Sequence, residues 1–176
     1  DRTKPINLES DRMHVDDAVR KGAKALCGGR LRNEGEFAKG HFFEPTVLTN
    51  VNENMELMRS ETFGPIAPIQ VVKNIEEAIE RANASEYGLG ASILTNDLEK
   101  AMLAADNIKA GTFWINDPLT DNDAAPFGGM RLSGNGRELG LEGLDEFREA
   151  KHILIDYKLE RKSYWFPYEW KKAELD

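Results

Sequence analysis

The sequence predicts an α/β fold, built from βαβ units with a mostly parallel sheet. Short apolar runs at 66–72, 91–94 and 112–115 alternate with helical apolar stripes at 75–82 and 98–105. The connections between these runs are too long for hairpins and suit right-handed crossovers. Glycines at 88, 90 and 111 mark the passages from helix to strand.

In chain order, residues 11–22 read as a helix whose partly apolar face holds Met13, Val15, Ala18 and Val19. Lys24 to Cys27 is a short strand stopped by Gly28 and Gly29. A polar hairpin or loop at 30–39 leads to an alternating strand at 42–48, and Pro45 places it near an edge or at its own beginning. A short helical stretch at 54–58 precedes the loop 60–65 and the strand 66–72. Asn74 caps a helix with Ile75, Ala78, Ile79 and Ala82 on one face, and Asn96 or Asp97 caps a second with Leu98, Ala101, Met102 and Ala105 inward. Residues 112–115 form the next strand and 116–122 a polar loop. Six glycines then fall within residues 128–143, so backbone geometry governs that stretch. A helix around 141–149 and an isolated strand at 151–157 follow, and the tail carries Tyr164, Trp165, Phe166, Tyr168 and Trp170.

The 176 residues carry 31 acidic against 23 basic side chains, a formal charge of −8, with 40% hydrophobic residues and one cysteine. That length buries roughly two-thirds of the unfolded surface in one domain. The acidic balance argues against a nucleic-acid partner. One cysteine cannot form an internal disulfide, no apolar run approaches the ~20 residues of a membrane helix, and the first residues lack a signal-peptide core. The expectation is a soluble, cytoplasmic chain with no nucleic-acid or membrane partner.

Several candidate motifs have ordinary explanations. Gly134-Asn135-Gly136-Arg137-Glu138-Leu139-Gly140 has spacing G-x-G-x-x-x-G without a strand running into it, so a structural glycine loop is favoured over a dinucleotide fingerprint. Cys27 lies at the end of an apolar strand with no base organised around it, and a small buried apolar role is favoured over a nucleophile. His14, His41 and His152 lack metal-ligand spacing, so no metal is expected. Asn83-Ala84-Ser85 matches a glycosylation pattern only as background. The acidic loop with Asp117, Asp121 and Asp123 could favour cationic substrates, but a solvated loop is the better reading. Charged residues interspersed through the aromatic tail favour packing on the fold over membrane anchoring. In Glu61-Thr62-Phe63-Gly64-Pro65, side chains at i and i+2 of an extended segment point the same way. Glu61 and Phe63 thus suit a ribose diol beside an aromatic ring, and equally an ordinary loop with a core-facing Phe.

Ser60-Glu61-Thr62-Phe63-Gly64-Pro65, Ala110-Gly111-Thr112-Phe113-Trp114-Ile115-Asn116 and the stretch from Pro126-Phe127-Gly128-Gly129 to Gly140 together resemble the NAD(P)-dependent aldehyde dehydrogenases. The resemblance covers roughly 14–157, with Phe43-Glu44-Pro45-Thr46-Val47-Leu48 and Tyr87-Gly88-Leu89 also fitting. It implies that Glu61 hydrogen-bonds the nicotinamide ribose, that Phe63 packs beside the nicotinamide, and that Asn116 and Phe127 line the aldehyde tunnel. Lys151, His152, Ile153, Leu154, Ile155, Asp156 and Tyr157 match the strand that such enzymes add to a neighbouring subunit's sheet, which satisfies an open edge. The division that follows is a partial catalytic domain at 1–150 including the glycine-rich 126–140, an oligomerisation strand at 151–158, and an aromatic tail at 159–176.

Family chemistry uses a cysteine nucleophile, a glutamate base, an oxyanion-binding amide and a dinucleotide fold. No segment of this chain resembles those parts, so the resemblance is to a C-terminal portion, and no residue is assigned a catalytic role. The lead-in at 5–9 also stands fewer residues before His14 than in the family, which points to a deletion. The expectation is a chain inactive by itself, because losing a nucleophile costs about 10⁶ in turnover. NAD or NADP would belong to the parent enzyme and not bind tightly here. The partners expected are other copies of the chain or full-length subunits of the family. The alternative is a non-catalytic assembly module that self-associates through 151–157.

Overall fold

A computed structural model of the chain describes residues 5–158 and 160–166. Helix α1 (Pro5–Arg20) opens the fold as one continuous element, so the shortened lead-in becomes part of the helix. It buries Val15 and Ala18 against Leu48, Met55 and Leu57, with Leu8 packed at the margin. Its end is a Schellman turn. Gly22, at φ 103°, donates to the Val19 carbonyl, and Ala23 N–H donates to the Ala18 carbonyl at 2.9 Å.

Strand β1 (Lys24–Cys27) pairs antiparallel with β4 (Thr46–Thr49), and β4 pairs in parallel with β5 (Ile66–Pro68), giving the order β1-β4-β5. The 28–45 excursion between β1 and β4 contains a two-residue antiparallel pair, β2 (Leu31–Arg32) with β3 (Phe42–Phe43). A 3₁₀ turn at Glu56–Met58 then returns the chain beneath α1. This half holds nearly all of the buried apolar side chains among the described residues.

The second half begins at α2 (Ile75–Asn83). Asn74 caps it, its side chain accepting from Glu77 N–H at 3.0 Å, while the Glu77 carboxylate accepts from Lys73 N–H. After β6 (Tyr87–Gly88), a compact βαβ unit forms from β7 (Gly90–Ile93), α3 (Leu98–Asn107) and β8 (Thr112–Ile115). Its strands run parallel, with Gly90 opposite Thr112 and Ile93 opposite Ile115. Asp97 caps α3 by accepting from Lys100 N–H. The buried face of α3 is Ala101 and Ala104, whereas Leu98 and Met102, expected inward, are exposed. Strand β9 (Met130–Arg131) pairs antiparallel with β6, and α4 (Gly140–Asp145) closes the ordered chain.

The expected mostly parallel sheet is therefore corrected to a set of small mixed sheets. Two pairs are parallel and three antiparallel among the described residues. Strand β5 stops at Pro68, which has no N–H to donate, and pairs with β4 rather than with β7 or β8. Cys27 is exposed, not buried, because every residue of the edge strand β1 is open to solvent. Residues 151–157 form no ladder among the described residues. Their backbone meets no strand edge here, and Ile153, Leu154, Ile155 and Tyr157 are exposed. Tyr164, Trp165 and Phe166 are exposed, against the expectation of a packed tail, and Tyr168 and Trp170 lie outside the described residues. No helix among the described residues is long and apolar enough to cross a membrane.

One charged node ties α1 to the turn at 56–58. The Asp17 carboxylate receives Lys21 Nζ and Arg20 Nη2, each at 2.8 Å, and the Glu56 N–H at 3.0 Å. Lys21, then the Glu56 N–H and Arg20, hold its carboxyl well below the usual carboxylate range. A depressed folded pKa contributes stability that is complete above the unfolded value, about 3.9, and is lost as pH falls toward the folded one. Asp17→Asn should thus lower Tm at neutral pH, with the gap to the native chain narrowing steadily below about pH 4 in melts run across pH.

Candidate functional site

The loop at 60–65 is held from both ends and from its middle. Ser60 N–H donates to the Glu56 carbonyl at 2.9 Å, and Thr46 N–H on β4 donates to the Pro65 carbonyl at 2.8 Å. Between them, Thr62 Oγ1 and His14 Nδ1 of α1 share a hydrogen bond of 2.6 Å. With Thr62 turned toward α1, its neighbours Glu61 and Phe63 are left exposed, the alternation expected of an extended segment.

Phe63 nevertheless lines neither of two cavities that Glu61 lines. Glu61 lines a cavity of about 490 Å³ with Tyr87, Leu89, Lys109, Leu132 and Ser133, while Phe63 stands outside it and 66% exposed. A second cleft of about 250 Å³ also includes Glu61, together with Met58 and Arg59 on one side and Ser85 and Tyr87 on the other. Glu61 thus stands where the two halves of the fold face each other. No described side chain makes a hydrogen bond or ion pair with its carboxylate, which stays free to accept one. Leu89, Leu132 and Ala91 supply apolar surface, and Gly88 and Gly90 leave backbone uncovered by side chain. A carboxylate acceptor beside an apolar wall, in a cavity of ligand size, suits a small molecule that pairs hydroxyl groups with an apolar face. Of the wall residues, Tyr87 and Leu89 carried a signal in the Tyr87-Gly88-Leu89 motif. Leu132 and Ser133 lay within the glycine-rich stretch 126–140, and Lys109 carried no signal.

Close backbone crossings build the cavity's outer wall. A Cβ on Gly88 would lie 2.5 Å from the Lys109 carbonyl oxygen, and one on Gly111 would collide with the Gly128 carbonyl. Ser133 Oγ accepts from Gly88 N–H at 3.0 Å, and Arg137 Nη1 donates to the Gly129 and Gly136 carbonyls at 2.8 Å each. The glycine-rich segment is accordingly structural, as its context indicates: β9 turns into a loop, and α4 begins only at Gly140.

Asn116 and Phe127 lie elsewhere and line neither cavity. Asn116, at φ 63°, extends the β7–β8 ladder with its side chain: Oδ1 accepts from Thr95 N–H at 2.8 Å and Nδ2 donates to the Thr95 carbonyl at 2.9 Å. Phe127 pairs through its backbone with Glu138, each N–H donating at 2.7 Å. Cys27 lines neither cavity, and its Sγ lies 3.8 Å from the Pro45 carbonyl oxygen. No group of three or more His, Cys, Asp or Glu side chains among the described residues could hold a metal ion.

The sequence pattern of the aldehyde dehydrogenase family matches residues 4–153. The chain belongs to the aldehyde dehydrogenase family. It is 44% identical over 141 residues to human retinal dehydrogenase 2, covering 80% of this chain and 26% of that protein. It is 43% identical over 149 residues to mouse retinaldehyde dehydrogenase 3, covering 85% and 28%. Among solved structures, it superposes on betaine aldehyde dehydrogenase from Staphylococcus aureus in complex with NAD⁺ with a TM-score of 0.84 at 36% identity, over 92% of this chain and 32% of that one. An NAD-dependent aldehyde dehydrogenase from Sinorhizobium meliloti gives 0.81 at 35% identity, covering 93% and 31%. The chain therefore spans about a quarter of the length of the curated relatives it matches.

Asn116→Ala removes both bonds to Thr95 and places alanine in the left-handed region. We expect a loss of about 1–3 kcal/mol in urea unfolding.

Proposed function

We propose that this aldehyde dehydrogenase family chain corresponds to a C-terminal portion of the enzyme, the part that faces the nicotinamide end of NAD(P). In the parent reaction an aldehyde is oxidised to a carboxylate, with NAD(P) accepting the hydride. The observation that carries this reading is Glu61, an unpaired carboxylate on the rim of a cavity of about 490 Å³ with apolar walls. Glu61 accepts hydrogen bonds from the nicotinamide ribose, and Leu89 and Leu132 supply the apolar floor. Phe63 contributes only where a further surface brings the ring and the exposed aromatic together. Asn116 supports the tunnel side by fixing the end of β8.

The chain by itself does not turn over. Cys27 is its one thiol, and it lies on an exposed edge strand outside the cavity with no base beside it. Incubated with NAD⁺ or NADP⁺ and a panel of aldehydes, the purified chain should give no reduced-cofactor absorbance above the Cys27→Ser variant. Turnover that disappears in that variant would sink the proposal. Weak, saturable NAD⁺ binding, followed by NMR shifts around Leu89 and Leu132, should fall about tenfold in Glu61→Ala through loss of charge-assisted hydrogen bonds.

A second reading, an assembly module, is favoured by residues 151–157, whose backbone has no ladder partner among the described residues while Ile153, Leu154 and Ile155 are exposed. The partners are further copies of the chain or full-length family subunits, joined by strand pairing. Light scattering should show a dimer or larger species, shifted toward monomer by Ile153→Lys with Ile155→Lys. A native chain monomeric at high concentration overturns this reading.

A further inference from the structure

Two polar side chains on α1 are buried beside the 60–65 loop. Asp11 and His14 are 4% and 7% exposed, one helical turn apart, and both face the 60–65 loop. His14 Nδ1 bonds Thr62 Oγ1 at 2.6 Å, and the Asp11 carboxylate occupies the space that any side chain at position 64 would need. Burying a polar group costs free energy unless it is bonded; His14 meets that need through Thr62, and the Asp11 carboxylate lies against the Gly64 backbone.

We propose that Asp11 and His14 are positioning residues for Glu61, clamping Thr62 and Gly64 so that the intervening geometry directs the Glu61 carboxylate into the cavity. The proposal rests on the cofactor-facing reading of Glu61. Three features support the clamp. The Thr62 bond turns the loop's middle residue inward, which by alternation sends Glu61 outward. Gly64 admits the Asp11 carboxylate against the backbone because it has no Cβ. The loop's ends are already tied to Glu56 and Thr46, so the α1 contacts set the rotation of the segment between those ties.

The test compares Thr62→Val, which removes the hydroxyl at constant size, with Thr62→Ser, which keeps it. In the full native chain, backbone amides at 61–64 should show order parameters near about 0.85, falling below about 0.6 in Thr62→Val. Residues 15–18 and 46–48 should be unchanged in the same sample. Thr62→Val should weaken NAD⁺ binding about tenfold, because His14 is left buried without its partner, and Thr62→Ser should restore both readouts. Order parameters at 61–64 equal in Thr62→Val and the native chain would overturn the clamp, as would loosening spread evenly over the fold. Native NAD⁺ binding that is absent, or indifferent to Glu61→Ala, defeats the cofactor reading instead, and the order parameters then decide the clamp alone.

Discussion

The packing of α1 across β4 and the 51–58 segment is the interaction on which the rest depends. It gathers Val15, Ala18, Leu48, Met55 and Leu57 into the largest apolar cluster among the described residues. Apolar burial stabilises at roughly 25 cal/mol per Å², so this cluster is where the chain gains most of what offsets its conformational entropy. The same helix face carries Asp11 and His14 to the loop that bears Glu61. Stability and site geometry therefore share one element, and a shift of α1 would move both.

The second half is held differently. Its buried apolar side chains are few, with Ala101 and Ala104 on α3 as its fully covered residues, and its cohesion comes from backbone crossings that only glycine permits. Gly88 against Lys109 and Gly111 against Gly128 bring chains closer than side chains would allow. The result is a thin wall built of hydrogen-bonded backbone, standing opposite the α1-centred half across the Glu61 cleft. Arg81 bridges the two, its Nη1 2.6 Å from Glu53 Oε1 while its other contacts stay on α2 with Glu77.

What was legible in the sequence is what local chemistry decides. Asn74 caps its helix as read, and of the two candidates Asn96 and Asp97 it is Asp97 that caps α3, since a cap needs only a side-chain oxygen three residues before an N–H. The βαβ unit from β7 to β8 follows from the change of period around α3. Glu61 was singled out by alternation and by a resemblance to other enzymes, and it does line a cavity. The misses lie where tertiary surroundings decide. Cys27 sits in an apolar run, but nothing covers β1. Residues 151–157 have strand periodicity, and the strand expected there needs a neighbouring strand that the described residues do not supply. His14 and Thr62 are 48 residues apart, a separation at which no spacing rule couples them. Asn116 has a left-handed backbone and bonds Thr95 through both amide atoms, a local geometry that no sequence pattern records.

The exposed apolar surface connects these misses. Val71, Leu94, Leu98, Leu141, Leu144 and Phe147 are all exposed, as are Ile153 and Leu154. Scattered singly they would be unremarkable, but together they include the outward face of α3 and most of α4 with the segment beyond it. Strands β5, β7 and β8 also each keep a side without a ladder among the described residues. Apolar side chains on helices that expose them, and strands that end in open edges, are the two ways a fold prepares to be covered. The NAD⁺-bound relative of the same fold is about three times as long, with this chain spanning 32% of it. The apolar stripes read from the sequence as helix faces are thus left partly uncovered among the described residues. Periodicity records where a residue must be buried in the assembled fold, so Leu98 and Met102 can face inward in that pattern and outward in this chain without contradiction.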